Sequence, residues 1–371
     1  MIRKTTKEQL LSILQMMLKL HHTKEMENGK TQRKLLTQCQ ESAITIGTIL
    51  EEKVEESVKI VPLLEMYCEE VYVLAESAGT GEKIDLEYAD GMLYDVINAI
   101  EELQEVYQIV FMPYKAAMWD ALESIYLAAK DDVGCEALVV PVPYYSFDQK
   151  KKEWIPHYEG ELFPPNIPVT SYQKYNLQEE RPDVIYVHNP YDDSNYVTSV
   201  HPSFYSAELK KYTKKLIYVP YYVTTGAISP EHTILPVYFH MDYAIVQGER
   251  FKRGFKGLPY EDKIIPLGSP KLDRIIRMCK SGEVKMPKEW EKIVKGRRTL
   301  MLNTSISCLL DEGSIMLDKL MWLFKKIKQY PGLALIWRPH PLLRSTIESM
   351  RPQLLMQYEE LIAYFQENGV G

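Results

Sequence analysis

The stretch Tyr107-Gln-Ile-Val-Phe-Met-Pro-Tyr-Lys115 decides the fold class, because it carries the pattern of a buried strand that ends in a polar loop. A segment with helical spacing follows it over residues 115–130. The same alternation of strand and helix recurs along the chain. The predicted strands are 107–112, 137–142, 184–187, 216–219, 243–246 and 264–267. Short apolar strands separated by helices indicate a parallel sheet that is covered on both faces.

A second α/β unit follows this sheet. Residues 271–298 form a basic segment with 10 Lys/Arg against 4 Asp/Glu. Strands are then predicted over 299–302 and 333–337, and helices over 314–330 and 353–366. We therefore predict one complete Rossmann-like domain and an incomplete second one. The predicted units are an α-helical N-terminal region over 1–105, a first Rossmann-like domain over 106–275, a basic linker over 276–298 and a partial second domain over 299–371.

The N-terminal region differs from the rest of the chain in charge and in periodicity. Residues 1–105 carry 11 Lys/Arg and 20 Asp/Glu, although the net charge of all 371 residues is only −7. Helical spacing of apolar residues predicts a helical domain or bundle with acidic outer faces. His21 and His22 have no ligand partners nearby in the sequence, so we expect a pair at the surface. The remainder is not basic enough to indicate a nucleic acid partner.

Composition excludes several other classes of protein. A hydrophobic share of 46% and a charged share of 26% are typical of a globular protein and exclude a disordered or collagen-like chain. The five cysteines form no Cys-x-x-Cys pair, which argues against a zinc site.

There is no secretory pattern and no apolar run long enough to cross a bilayer. We expect a cytoplasmic protein, with membrane-surface contact left open through residues 271–298 or 1–36.

The loops at the carboxyl ends of the predicted strands are polar and rich in tyrosine, as expected of a wet cleft that binds a polar ligand. His188 and Asp192 follow the third strand and would serve as a catalytic base and its orienting carboxylate. The alternative is a loop turn, since Asn-Pro and Asp-Asp are turn formers. Further residues are predicted to line the cleft: Tyr221, Tyr222, Thr224, Gly226, Gly268 and Ser269.

The most specific local pattern is Trp337-Arg-Pro-His-Pro341, at the end of a predicted buried strand. Its guanidinium and imidazole, on Arg338 and His340, would form a clamp for phosphate. The preceding strand ends in further hydroxyls and amides that would hold phosphate oxygens, from Asn303, Thr304 and Ser305.

Three motifs together resemble the CDP-glycerol glycerophosphotransferase family of teichoic acid primases and polymerases. They are Leu267-Gly-Ser-Pro-Lys-Leu-Asp273, the strand ending in Asn303-Thr-Ser, and Trp337-Arg-Pro-His-Pro-Leu342. The resemblance implies a GT-B architecture, a CDP-glycerol donor, a polyol-phosphate or glycan acceptor, no metal or other cofactor, and work at the inner face of the cell membrane. Arg338 and His340 would then lie beside the donor pyrophosphate, and the second domain would hold the donor.

Two departures from this family keep other functions open. The family has His-Gly-Thr-Pro where this chain reads Pro220-Tyr-Tyr-Val-Thr-Thr-Gly226, so the family's presumed base is missing. A donor-contacting segment that follows the Arg-Pro-His-Pro helix in the family also has no counterpart. One alternative is a GT-B glycosyltransferase or an epimerase that uses another nucleotide sugar. The other is a truncated, non-catalytic chain that acts as a scaffold.

Overall fold

The computed structural model describes residues 1–23, 29–80, 82–148, 151–224, 228–282 and 285–367. Its strands are β1 Ile2–Arg3, β2 Glu105–Phe111, β3 Cys135–Val139, β4 Tyr144–Asp148, β5 Glu153–His157, β6 Val184–Val187, β7 Thr198–Val200, β8 Lys215–Tyr218, β9 Tyr243–Ile245, β10 Ile264–Ile265, β11 Arg298–Thr304 and β12 Leu333–Pro339. Its α-helices are α1 Lys4–His21, α2 Gly29–Lys53, α3 Val61–Thr80, α4 Glu87–Glu101, α5 Glu123–Asp131, α6 Leu177–Glu180, α7 Ser206–Leu209, α8 Pro230–Thr233, α9 Val237–His240, α10 Glu249–Lys252, α11 Pro270–Ser281, α12 Lys288–Val294, α13 Ile306–Glu312, α14 Ser314–Ile327, α15 Leu343–Met350 and α16 Leu355–Glu367.

The predicted parallel sheet is present, and its strand order is β3-β2-β6-β8-β9-β10. The chain runs from β2 outward to β3 and then returns to the other side of β2 to form β6. The order therefore reverses between β2 and β6, which makes this the topological switch point where open α/β sheets bind ligands. The strand β1 pairs in parallel with the first residues of β2, so the start of the chain joins this sheet.

Successive side chains of the central strands point to opposite faces of the sheet, and each face has its own core. Val110, Ile185 and Leu216 point into one core, where the aromatic side chains of α9 and α10 also pack. Phe111 and Val139 point into the other, against Trp119 and α5. Burial on both faces explains why the strands read as continuous apolar runs rather than as alternating ones.

A small antiparallel sheet in the order β5-β4-β7 was not predicted from the sequence. Its strands contain many polar and aromatic residues, and β5 includes Pro156. These residues gave no clear strand signal, because β5 is an edge strand with exposed positions, where proline is tolerated. This sheet lies in the chain between β3 and α7 and brings Tyr144 close to the end of β2.

The N-terminal helices α1 to α4 pack around one continuous apolar core, as their spacing predicts. The expectation of a surface His21–His22 pair is wrong for His21, which is only 3% exposed. Its Nδ1 lies 2.7 Å from Asp90 Oδ1, and its Nε2 lies 3.0 Å from the Tyr67 hydroxyl. His22 is exposed and pairs with the other oxygen of Asp90. A histidine with two polar partners can be buried, and those partners come from helices that the sequence does not place together.

The second α/β unit consists of the parallel pair β11–β12 with α13 to α16 packed around it. Most of β11 is exposed, including Leu300 and Met301. The chain thus has an α/β fold of the GT-B-like type, with one full Rossmann-like sheet and a second, smaller parallel sheet. No helix in the described ranges is long and apolar enough to cross a membrane.

Candidate functional site

At the switch point of the large sheet, a hydrogen bond connects the loop after β2 to the loop after β6. The backbone N–H of Tyr114, after β2, donates to Nε2 of His188, after β6, over 3.2 Å. A neutral imidazole that accepts at Nε2 must carry its proton on Nδ1. The two rings also meet edge to face, with centroids 5.2 Å apart. His188 therefore links the two strands between which the sheet order reverses.

This placement differs from the predicted role of His188 as a general base. Its side chain is completely buried, and its Nε2 lone pair is already engaged by the Tyr114 N–H. Burial lowers the pKa of His188 to about 3, and the nearby Lys271 ammonium acts in the same direction. A ring that is inaccessible and so weakly basic cannot take a proton from a substrate hydroxyl in this arrangement.

Asp192 is not brought to His188 either. Its carboxylate instead accepts hydrogen bonds from the backbone N–H and the hydroxyl of Ser206, at the start of α7. Within the described residues, no hydrogen bond joins it to His188. Asp192 adopts a left-handed backbone conformation with φ of 47°, which aspartate tolerates better than most residues. The geometry is that of the turn alternative, so the predicted base–carboxylate pairing is not formed.

A different group of polar residues occupies the same edge of the sheet, and we call it the switch-point cluster: Tyr114, Lys115, Tyr144 and Glu159. Lys115 Nζ lies 4.9 Å from the centre of the Tyr144 ring and 5.7 Å from that of Tyr114. Glu159 accepts a hydrogen bond from the Tyr144 hydroxyl at 2.6 Å and another from the Ala116 N–H at 2.9 Å. Burial lowers the pKa of Lys115, while the charge of Glu159 opposes that change.

Sequence reasoning placed Tyr114, Lys115 and Tyr144 in loops at the carboxyl ends of neighbouring strands, but it did not identify Glu159. Glu159 belongs to the irregular connection after β5, where neither periodicity nor a motif singles it out. The hairpin of β4 and β5, which was missed, returns the chain so that Glu159 meets Tyr144 at the end of β2. The cluster offers a cation and a carboxylate at one place, packed on two buried aromatic rings, which suits a polar ligand.

The predicted cleft-lining residues fall into three settings. The Tyr221 hydroxyl lies 3.5 Å from that of Tyr191, and the backbone of Thr224 is held by the side-chain amide of Gln247. Gly226 lies outside the described residues. Tyr222, Gly268 and Ser269 line one small cavity at the ends of β8, β9 and β10. Gly268 has φ of 126°, a conformation that favours glycine, and it turns the chain into α11.

The second unit brings together all five predicted phosphate-binding residues, and we call them the β11–β12 cluster: Asn303, Thr304, Ser305, Arg338 and His340. The parallel register sets Asn303 beside Arg338. The backbone N–H of His340 donates to the carbonyl of Thr304 at 3.0 Å, which ties the two strand ends together. Thr304 is buried and accepts a hydrogen bond from the Trp337 indole, whereas the other four side chains are exposed to differing degrees.

Two donor groups of this cluster have no partner within the described residues, although the Ser305 hydroxyl already accepts a hydrogen bond from the Cys308 N–H. Arg338 makes no hydrogen bond or ion pair with any residue that the structure describes. His340 Nδ1 accepts a hydrogen bond from the Leu342 N–H, so in the neutral ring Nε2 carries a proton that points away from this contact. Burial lowers the pKa of His340 below its ordinary value. A guanidinium and a neutral N–H donor thus stand at the carboxyl ends of two parallel strands, and both are groups that donate hydrogen bonds to anions.

Neither cluster contains the ligands of a metal ion. Across the parts of the chain that the structure describes, no group of three His, Cys, Asp or Glu side chains is arranged to hold one.

Comparison with known proteins finds similar structures but no similar sequences. No protein family model matches the chain, and no curated protein does either. The UDP-GlcNAc 2-epimerase from Neisseria meningitidis, solved with UDP-GlcNAc, is 11% identical with a TM-score of 0.43, over 69% of this chain and 70% of that one. The enzyme from Methanocaldococcus jannaschii, in complex with UDP-GlcNAc and UDP, is 13% identical with a TM-score of 0.42, over 69% and 71%. That from Rickettsia bellii is 11% identical with a TM-score of 0.39, over 67% of each chain.

These findings correct the family expected from the sequence motifs. The three solved structures named above are UDP-GlcNAc 2-epimerases and not CDP-glycerol glycerophosphotransferases. The predicted membership of the glycerophosphotransferase family is therefore wrong, and with it the predicted CDP-glycerol donor and the role in teichoic acid synthesis. The motif Trp337-Arg-Pro-His-Pro341 misled the prediction, because a strand ending in a guanidinium and an imidazole serves any phosphate ligand.

Proposed function

We propose that this chain binds a nucleotide-linked sugar and holds its diphosphate at the β11–β12 cluster. The observation that carries this proposal is the Arg338 guanidinium, which is exposed, unpaired within the described residues and set in register beside Asn303. A diphosphate oxygen would accept hydrogen bonds from Arg338 and from Nε2 of His340. The hydroxyl of Ser305 and the amide of Asn303 would complete the contacts. Arginine is well suited to this role because its planar fork pairs with two phosphate oxygens at once.

The sugar end of the ligand would be bound at the switch-point cluster. Lys115 offers an ammonium, and Glu159 a carboxylate, at the position where sheets of this kind take their ligands. The rings of Tyr114 and Tyr144, only 5% and 7% exposed, pack against these charged groups from the protein side and would hold them in place for the hydroxyls of the sugar. The nucleotide-linked sugars in the N. meningitidis and M. jannaschii structures are of this chemical class.

Calorimetric titration of the full chain with UDP-GlcNAc, UDP and free GlcNAc tests the proposal. We expect both nucleotides to bind and free GlcNAc not to bind, because the diphosphate supplies most of the affinity. Arg338→Ala should weaken UDP-GlcNAc binding by at least about tenfold, since a hydrogen bond to a charged group contributes about 1.5–3 kcal/mol. Arg33→Ala removes an exposed arginine from α2 and is the matched control, with affinity unchanged.

The reaction is tested separately by NMR of UDP-GlcNAc incubated with the chain. Inversion at C2 of the sugar would identify an epimerase, and release of UDP upon addition of a hydroxyl acceptor would identify a transferase. Binding without either change would identify a nucleotide-sugar-binding protein that is not an enzyme. Absence of binding to both UDP-GlcNAc and UDP would refute the proposed function as a whole.

A further inference from the structure

The helix α11 is attached to the large sheet's domain through its charged face. Lys271 pairs with Asp120, with Nζ 2.9 Å from Oδ2. Arg274 and Arg277 both reach the carboxylate of Glu123, which is only 8% exposed. These cations lie on one side of the helix at a spacing of three residues. The ion-paired side of α11 therefore faces the large sheet's domain, with Arg277 still 48% exposed, which is the reverse of an ordinary surface helix.

The opposite side of α11 is apolar and faces solvent. Leu272, Ile275 and Ile276 are 40%, 50% and 51% exposed, and Cys279 on the same stripe is exposed as well. Spacings of three and four residues place these side chains on one face. Apolar side chains are also exposed in the segments before and after α11: Leu267 is 74% exposed, Met286 48% and Trp290 of α12 42%. Exposed apolar side chains that share one helix face indicate a site of contact with a protein or a membrane.

Basic residues continue along the chain after this stripe. Beyond the ion-paired Lys271, Arg274 and Arg277, seven basic residues form no ion pair within the described part of the chain and outnumber the two carboxylates of α12, Glu289 and Glu291: Lys280, Lys285, Lys288, Lys292, Lys295, Arg297 and Arg298. The N-terminal helices carry the acidic excess of the chain, so the positive charge of residues 271–298 is a local feature. This local positive charge favours binding to an anionic partner.

We infer that α11 and α12 form a membrane-contact surface that binds anionic lipid headgroups. Exposed leucine and isoleucine would enter the boundary between headgroups and acyl chains, and Trp290 suits the same depth because its ring is amphipathic. The lysines and arginines of α12 and the residues after it would contact the lipid phosphates. This combination of an apolar stripe, a tryptophan and unpaired cations favours a lipid surface over a protein partner. The inference does not depend on the proposed nucleotide-sugar site.

Flotation of the full chain with lipid vesicles tests this inference. We expect the chain to bind vesicles that contain phosphatidylglycerol and to bind pure phosphatidylcholine vesicles at least about tenfold less tightly. Ile275→Ser combined with Ile276→Ser should lower the affinity for anionic vesicles by at least about tenfold, because two buried isoleucines are lost from the interface. Ile44→Ser with Ile315→Ser is the matched control, since both side chains are 57% exposed but lie elsewhere.

A second variant separates charge from apolar contact. Lys288→Glu with Lys292→Glu and Lys295→Glu should weaken binding to anionic vesicles by more than about tenfold and make it insensitive to salt. Equal binding of neutral and anionic vesicles by the natural chain, or unchanged binding by the Ile275/Ile276 variant, would overturn the inference. So would light scattering that shows a dimer of the natural chain dissociated by the same two substitutions, because the surface would then bind a second copy.

Discussion

The backbone N–H of Tyr114 and Nε2 of His188 are joined by a 3.2 Å hydrogen bond across the switch point of the large sheet. This bond gives a fully buried imidazole a structural role in a position where a catalytic base was expected. Tyr114 directly precedes Lys115, so this part of the switch-point cluster is tied to a histidine whose own side chain is completely buried.

The first prediction concerns the stability that His188 provides. His188→Ala should lower the free energy of unfolding by about 2–4 kcal/mol, because it opens a cavity and leaves the Tyr114 N–H without an acceptor. His232→Ala removes an exposed histidine and should change the free energy by less than about 0.5 kcal/mol. Urea denaturation at pH 7.5 measures both. Equal effects of the two substitutions would contradict the structural role.

The second prediction is the pH dependence of that effect. The folded-state pKa of His188, about 3, lies below the unfolded value of 6.5, so between these values the unfolded chain binds the extra proton. Stability contributed by neutral His188 is thus complete above pH 6.5 and decreases as the pH falls, by about 1.4 kcal/mol per unit. The destabilisation by His188→Ala should be roughly 2 kcal/mol smaller at pH 5 than at pH 7.5. A difference that stays constant across this range would show that the ring is not buried in the neutral form.

The third prediction separates the fold role of Asp192 from a catalytic one. Asp192→Asn keeps a residue that tolerates the left-handed backbone and can still accept from the Ser206 N–H, so it should cost about 1 kcal/mol or less. Asp192→Ala loses the acceptors and strains the turn, and should cost about 2–4 kcal/mol. Thermal unfolding of the two variants gives the comparison. UDP-GlcNAc affinity should be the same in Asp192→Asn as in the natural chain, and a large loss would assign the carboxylate to the ligand instead.

The fourth prediction tests the buried contact in the N-terminal helices. Tyr67→Phe should lower the free energy of unfolding by about 1–2 kcal/mol, because the buried Nε2 of His21 loses its hydroxyl partner. Tyr94→Phe, on the exposed face of α4, should have no measurable effect. Chemical denaturation of the two variants provides the measurement. If both tyrosines behave alike, the His21–Tyr67 contact does not contribute to stability.

The fifth prediction concerns His340 and the ligand. Because its pKa lies below the ordinary value, His340 is neutral at pH 7–8.5 and would donate to phosphate through Nε2–H without being charged. The affinity for UDP-GlcNAc should therefore be flat across that range. His340→Ala should weaken binding about tenfold, while His340→Gln, which retains an N–H donor, should weaken it less. Titration at three pH values decides this, and a steep gain in affinity from pH 8.5 to 7 would mean that the imidazolium binds instead.

The regular parts of the fold were predictable because they are periodic. The predicted strand over 184–187 has the observed ends, and the other predicted strands agree with the observed ones to within a few residues. The reason is that strands buried on both faces leave continuous apolar runs in the sequence. The β5-β4-β7 sheet was missed because its residues are polar and exposed. The helix predicted over 115–130 begins instead as a 3₁₀ turn over Ala116–Ala121 and continues as α5. The proximity of the residues of the β11–β12 cluster was predictable because they adjoin two strands with clear signals.

The sequence by itself determined the order of strands and helices, the two parallel sheets and the convergence of Asn303, Thr304 and Ser305 with Arg338 and His340. These features follow from local periodicity and from the rule that parallel strands end at one edge. Tertiary structure alone decided that His188 is buried and bound to Tyr114, that Asp192 turns to Ser206, and that Glu159 reaches Tyr144. It also decided that α11 turns its charges inward. Burial and partner choice depend on residues far apart in the chain, and no local pattern of residues encodes such distances.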